Sequence, residues 1–152
     1  MFRKPHCPVI AIEEHYWDEE LEKTFTGSEA GRPGEQFNRL HDFGPLRIKE
    51  MDDAGIDIQV LSHGAPSTQK LPAETAPAMA TRVNDRLAAI VAKNPTRFAG
   101  FAALPTMAPD KAARELQQRV HSGAFKGAVI NGHVRGRYLD DKFFWPILES
   151  AE

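Results

Sequence analysis

Short apolar runs and longer amphipathic stripes alternate along the chain. Val9 to Glu13, Asp57 to Leu61, Phe98 to Leu104 and Phe125 to Ile130 have the length and the β-branched or aromatic content of strands. After each comes a different periodicity. Leu46, Ile48, Met51 and Ala54 are followed at once by Gly55, a helix with its terminating glycine. Met79, Val83, Leu87 and Ile90 fall on one helical face, and Asn94-Pro95 ends that stripe. Ala112, Ala113, Leu116 and Val120 form a third stripe that stops at Gly123. Phe144, Ile147, Leu148 and Ala151 form a fourth within 141–152, with Pro146 restricting its first turn or kinking it. Between the first strand and the first helix, residues 18–45 are polar and carry Gly27, Gly31, Pro33, Gly34, Gly44 and Pro45, which predicts one long loop used as a lid or binding segment. The order βαβαβαβα predicts an α/β fold with a parallel sheet.

Two architectures accommodate four βα units: a small doubly wound sheet, or the first half of a (β/α)8 TIM barrel. The chain has 152 residues, against ~250 for a complete barrel. It stops at Ser150-Ala-Glu152 in the middle of an amphipathic pattern with no capping signal, as a cut would leave it. That stop favours the second architecture, in which residues 1–152 would form one partial barrel domain with open edges at its first and fourth strands that invite homo-oligomerisation. No G-x-G-x-x-G or phosphate-loop lysine pattern is present, which counts against a doubly wound nucleotide-binding domain.

Composition narrows the partners. Nineteen Lys and Arg against 21 Asp and Glu leave a net charge of −2, without the basic footprint of a nucleic-acid binder. The apolar run Val9 to Ile12 is too short for a membrane span or signal core, and the single Cys7 cannot form an internal disulfide. A reducing cytoplasm is the expected compartment.

Chemistry concentrates where strands end. Glu13 and His15 are two residues apart and point to one side of an extended strand, where they could share a divalent metal; the same spacing also suits a solvated strand end. His63, in Leu-Ser-His-Gly-Ala-Pro, could reach that face as a substrate contact or could bond to loop backbone. Asn131 follows the fourth strand on the same face, or serves only as a turn residue before Gly132. His133, Arg135, Arg137 and Lys142 form a basic group able to attract a carboxylate, or a solvated loop. Cys7 has no activating partner but His6, so a nucleophilic role is not expected.

Together, five ordered motifs resemble the amidohydrolase-2 family: Ile12-Glu-Glu-His15, Leu61-Ser-His-Gly-Ala-Pro66, Arg82-Val-Asn-Asp85, Arg97 to Pro105 and Gly127-Ala-Val-Ile-Asn131. Gly136-Arg-Tyr-Leu-Asp140 and Phe143-Phe-Trp-Pro146 extend the likeness. Within the family the chain looks most like metal-dependent decarboxylases of hydroxybenzoates, such as those acting on γ-resorcylate, 2,3-dihydroxybenzoate and 5-carboxyvanillate. The resemblance implies a (β/α)8 barrel with one divalent ion, Zn or Mn, held in part by Glu13 and His15. It also implies a small aromatic acid as substrate, contacted by Asn131 and by Phe25 or its neighbours. The group's other ligands, a His after the fifth strand and an Asp after the eighth, fall outside four βα units, so no catalytic acid is assigned here. Metal-assisted hydrolysis on the same scaffold, or an inactive half barrel, are the alternatives.

Overall fold

The computed structural model describes residues 5–27, 30 and 34–152. Four strands, β1 (Ile10–Tyr16), β2 (Ile58–His63), β3 (Phe98–Ala102) and β4 (Phe125–Ala128), pair in parallel in the order β1-β2-β3-β4. Chain order and spatial order coincide. A doubly wound sheet reverses its order at a switch point, whereas barrel strands are added one beside the next. The expected four successive βα units are thus present, and the sequential order is that of a barrel.

The helices are α1 (Glu19–Glu22), α2 (Glu35–His41), α3 (Pro45–Ala54), α4 (Ala76–Lys93), α5 (Pro109–His121) and α6 (Trp145–Ala151), with short 3-10 turns at Ser67–Lys70 and Lys142–Phe144. Gly55 closes α3 in the left-handed conformation at φ 73°, as the sequence predicts. Residues 18–45 differ from expectation: α1 and α2 interrupt the supposed loop, while Gly31 and Pro33 lie outside the described residues. The signal was local. Asp18 caps α1 by accepting from the Glu20 and Leu21 N–H groups, both at 3.0 Å, and acidic Glu19 and Glu20 suit the positive end of the helix dipole.

A second difference concerns the last element. Phe144 and Ile147 are buried, but Leu148 and Ala151 are exposed. A 3-10 turn through Phe144 precedes the helix, and its tighter winding takes the residues out of a single 3.6-period stripe.

Leu61, Val83, Leu87, Phe98, Ala102, Leu116 and Phe125 share the core in which the sheet meets its helices. On β1, Ile10 and Ile12 remain 52% and 64% exposed. At the top of this core Asn84 of α4 reaches the residue after β3: its Nδ2 donates to the Ala103 carbonyl at 3.0 Å and its Oδ1 accepts from the Ala103 N–H at 2.9 Å. The same Nδ2 also donates to Glu115 at 2.9 Å, tying α4 to α5.

Candidate metal centre

The pairing of β1 with β2 decides which way its acidic and imidazole groups point. Ala11 pairs with Gln59, but Glu14 pairs with Leu61, His15 with Ser62 and Tyr16 with His63. One extra residue is accommodated between Ala11 and Glu14, a β-bulge. A regular ladder running on from Ala11 would set Glu13 opposite Leu61 and His15 opposite His63, both buried residues. The bulge instead sets His15 beside Ser62, and Glu13, two residues earlier, shares its side of the strand.

His15 Nδ1 lies 3.0 Å from the Ser62 hydroxyl. Its Nε2 and the exposed Glu13 carboxylate have no hydrogen-bond partner among the described residues. A carboxylate oxygen and a free imidazole nitrogen whose other nitrogen is hydrogen-bonded suit a divalent ion. Among the described residues no group of three His, Cys, Asp or Glu is arranged to hold a metal, so Glu13 and His15 stand as two candidate donors without a third beside them.

His63 has a different setting. It is buried; its Nδ1 donates to the Gly64 carbonyl at 2.7 Å while its Nε2 accepts the Asp18 N–H at 3.1 Å. Both ring nitrogens are therefore occupied in one tautomer, and burial lowers its pKa to about 4. The rings of Tyr16, Trp17 and Phe25 surround it. Phe25 is itself buried, edge-on to Trp17. The structure thus brings His63 and Phe25 to each other, on the other side of the sheet from His15.

Asn131 follows β4 at the same strand end as Glu13 and His15. The buried Gln69 amide clamps its backbone, accepting the Asn131 N–H at 2.6 Å and donating to its carbonyl at 3.2 Å. The Asn131 Nδ2 is enclosed without a partner among the described residues. Left-handed backbone falls on Gly132, φ 56°, rather than on Asn131. The basic group is dispersed: Arg137 stacks over Phe143, Lys142 over Trp145, and Arg135 donates to the Lys70 carbonyl.

Arg47 was invisible in the sequence, where it reads as one polar position of a surface helix. It is 8% exposed, and its guanidinium donates to the carbonyls of His15 and Arg39, both at 3.1 Å. No periodicity signals this, because the helix is too short for one buried cation to disturb the pattern. Asp18 was also unmarked. Burial works against its charge, but hydrogen bonds from Arg86 and from the Leu21 and Glu20 N–H groups hold its carboxyl below the usual range.

Comparison with known proteins agrees with the fold. The profile of the amidohydrolase family matches residues 10–152. A γ-resorcylate decarboxylase of a Polaromonas species is 39% identical over 151 residues, covering 94% of this chain and 46% of that enzyme. Two solved structures superpose closely. The 5-carboxyvanillate decarboxylase of Novosphingobium aromaticivorans, complexed with manganese and 4-hydroxy-3-methoxy-5-nitrobenzoic acid, gives a TM-score of 0.86 at 34% identity, over 95% of this chain and 47% of that one. A dihydroxybenzoic acid decarboxylase of Polaromonas, with bound manganese and 2-nitroresorcinol, gives 0.81 at 38% identity, over 94% and 46%. The chain spans about half the length of these relatives. No helix among the described residues is long and apolar enough to cross a membrane. With its family profile matched from Ile10 to Glu152 and its four strands in barrel order, this chain belongs to the amidohydrolase family, as its first four βα units.

Proposed function

We propose that this chain carries part of the site of a metal-dependent, non-oxidative decarboxylase of a hydroxybenzoate-type acid. The observation that carries the reading is the Glu13 and His15 pair, turned by the β1 bulge to one side of the strand end with His15 Nε2 left open. Glu13 supplies a carboxylate oxygen and His15 an imidazole nitrogen to the ion. Manganese is favoured by the company of the related decarboxylases, with zinc as the alternative. Once bound, the metal supplies Lewis-acid and template chemistry toward the acid's carboxylate and ortho oxygens. The Asn131 amide, at the end of β4, offers a neutral hydrogen-bonding group to an aromatic acid held above the strand ends. The reaction protonates the ring carbon and breaks its bond to the carboxylate, releasing CO2; we assign the acid to no residue described here.

The test is incubation of the purified chain with Mn2+ and 2,6-dihydroxybenzoate, following resorcinol and CO2. Metal-dependent product that disappears in Glu13→Gln supports the reading. Unchanged acid in the presence of bound Mn2+ favours the second reading, a half barrel inactive without further βα units, to which the two-membered donor set points. Hydrolysis of an ester or lactone without CO2 would instead place the chain among the family's hydrolases. Among the described residues both β1 and β4 have a strand on one side only, which supports assembly with a further copy or further βα units. Native mass spectrometry with Mn2+ present reads subunit count and metal stoichiometry together.

A further inference from the structure

We propose that Arg47 is a positioning residue for the metal pair, fixing the backbone of β1 at His15 from the side of the sheet opposite the site. The inference rests on the reading of Glu13 and His15 as ligands. A guanidinium can only donate, so the direction of each contact is certain. Nε donates to the Asp42 carbonyl at 2.6 Å, Nη1 to Gln59 Oε1 at 3.2 Å, and Nη2 to the carbonyls of His15 and Arg39, both at 3.1 Å. One rigid fork therefore joins the end of β1, the end of α2, the strand β2 and its own helix α3.

Gln59 passes the constraint on. It accepts from Arg47 and donates from Nε2 to Glu14 Oε2 at 3.1 Å. Glu14 stands between the two ligands and is the first residue to regain regular pairing after the bulge. Its side chain and the next carbonyl are thus both anchored to Arg47, one through Gln59 and one directly. A bulged strand lacks ladder hydrogen bonds where it is kinked, so its two flanking side chains need another source of rigidity. Arg47 supplies it through the His15 carbonyl and Gln59, and hydrogen-bonds to neither ligand side chain. Its acceptors are neutral oxygens, and its charge is balanced at longer range by Glu14, Asp42 and Glu50 against the cost of burial. Nothing in this arrangement suits a lysine, whose single ammonium cannot span four separated acceptors.

The test compares the wild-type chain with Arg47→Lys and Arg47→Met. Amide hydrogen exchange without metal reads the positioning directly, and broadening of the His15 ring resonances by Mn2+ reads its effect on the pair. We expect exchange around residues 13–16 to quicken in both variants and Mn2+ affinity to fall about tenfold or more, as for other groups that orient ligands. A purely structural role would lower the melting temperature and leave Mn2+ affinity of the folded variants unchanged, which overturns the proposal. If the wild type itself shows no Mn2+ effect at His15, the metal reading fails, while the exchange result still decides whether Arg47 holds β1. Should either variant not fold, slow exchange of the Arg47 guanidinium protons in the wild type supports the clamp, and fast exchange overturns it.

Discussion

Ser62 Oγ stands 3.0 Å from His15 Nδ1, across the β1 and β2 ladder at a position where the two residues are paired partners. Ser62 is buried, so its hydroxyl is a fixed neighbour of the imidazole. If Nδ1 donates to it, the Nε2 lone pair is free for a metal. Ser62→Ala is expected to weaken Mn2+ binding by about tenfold and to raise the fraction of the His15 Nε2–H tautomer. Histidine ring 15N spectra of the metal-free chain check the tautomer; an unchanged ratio would remove Ser62 from the site.

Removing a ligand outright is more severe. Of the two proposed donors, His15→Ala or Glu13→Gln leaves one, and Mn2+ binding at this strand end should fall below detection by paramagnetic broadening. Glu13 is exposed, so Glu13→Gln should shift thermal unfolding little, whereas His15→Ala also takes the imidazole from the buried Ser62 hydroxyl. A variant that keeps the wild-type Mn2+ titration refutes the ligand assignment.

Asn84 makes three hydrogen bonds from a fully buried position, two to the Ala103 backbone and one to Glu115. Asn84→Leu would strand the Ala103 N–H and carbonyl and remove one of the two donors on Glu115 Oε1, the other being Arg119 Nε at 2.6 Å. Each buried polar group left unsatisfied costs about 1–3 kcal/mol, and a total loss of roughly 3 kcal/mol or more is expected by urea unfolding.

His63 makes stability depend on pH. Its folded pKa is about 4, against 6.5 for an ordinary histidine, so the unfolded chain binds the proton first. The contribution is complete above pH 6.5, declines as the pH falls from 6.5, and is lost once it passes about 4. Its full size is about 3 kcal/mol. Urea unfolding from pH 7.5 to 4 should show this slope, reduced in His63→Gln; equal slopes would contradict the buried neutral tautomer.

Gly64 lies under an indole. A Cβ built there would meet Trp17 Nε1 at 2.8 Å, and Trp17 is held by Phe25, Phe37 and His63. Gly64→Ala should cost about 1–3 kcal/mol, as overpacking does elsewhere, and should change the tryptophan fluorescence. An alanine variant of wild-type stability and emission would show that the indole has room to move.

Much of the fold was legible because each element obeys its own period. Val83 and Leu87 announce α4, and Gly55 marks the end of α3. Glu13, His15 and Asn131 were marked by residue type at strand ends. What escaped the sequence was the direction and partnership of side chains. His63 looks like a substrate contact in a string of letters, but the Gly64 carbonyl and the Asp18 N–H occupy its ring. Arg47 is a surface residue by every composition rule, yet four acceptor oxygens from the end of α2, β1 and β2 leave it a buried niche. Gly34 hid α2, because it caps that helix rather than filling one loop. Such contacts join positions tens of residues apart, beyond the reach of a local pattern.

The bulge in β1 also divides that strand into two independently phased halves. Ile10 and Ala11 take their register from Ile58 and Gln59, whereas Glu14 to Tyr16 take theirs from Leu61 to His63. A change of length upstream can therefore be absorbed at Ile12 and Glu13 without rotating the imidazole. Removing Ile12 would leave Ala11, Glu14 and His15 opposite their present partners and only straighten the ladder between them. The orientation of the pair is thus a property of the last few residues of β1, insulated from insertions and deletions that arise before it.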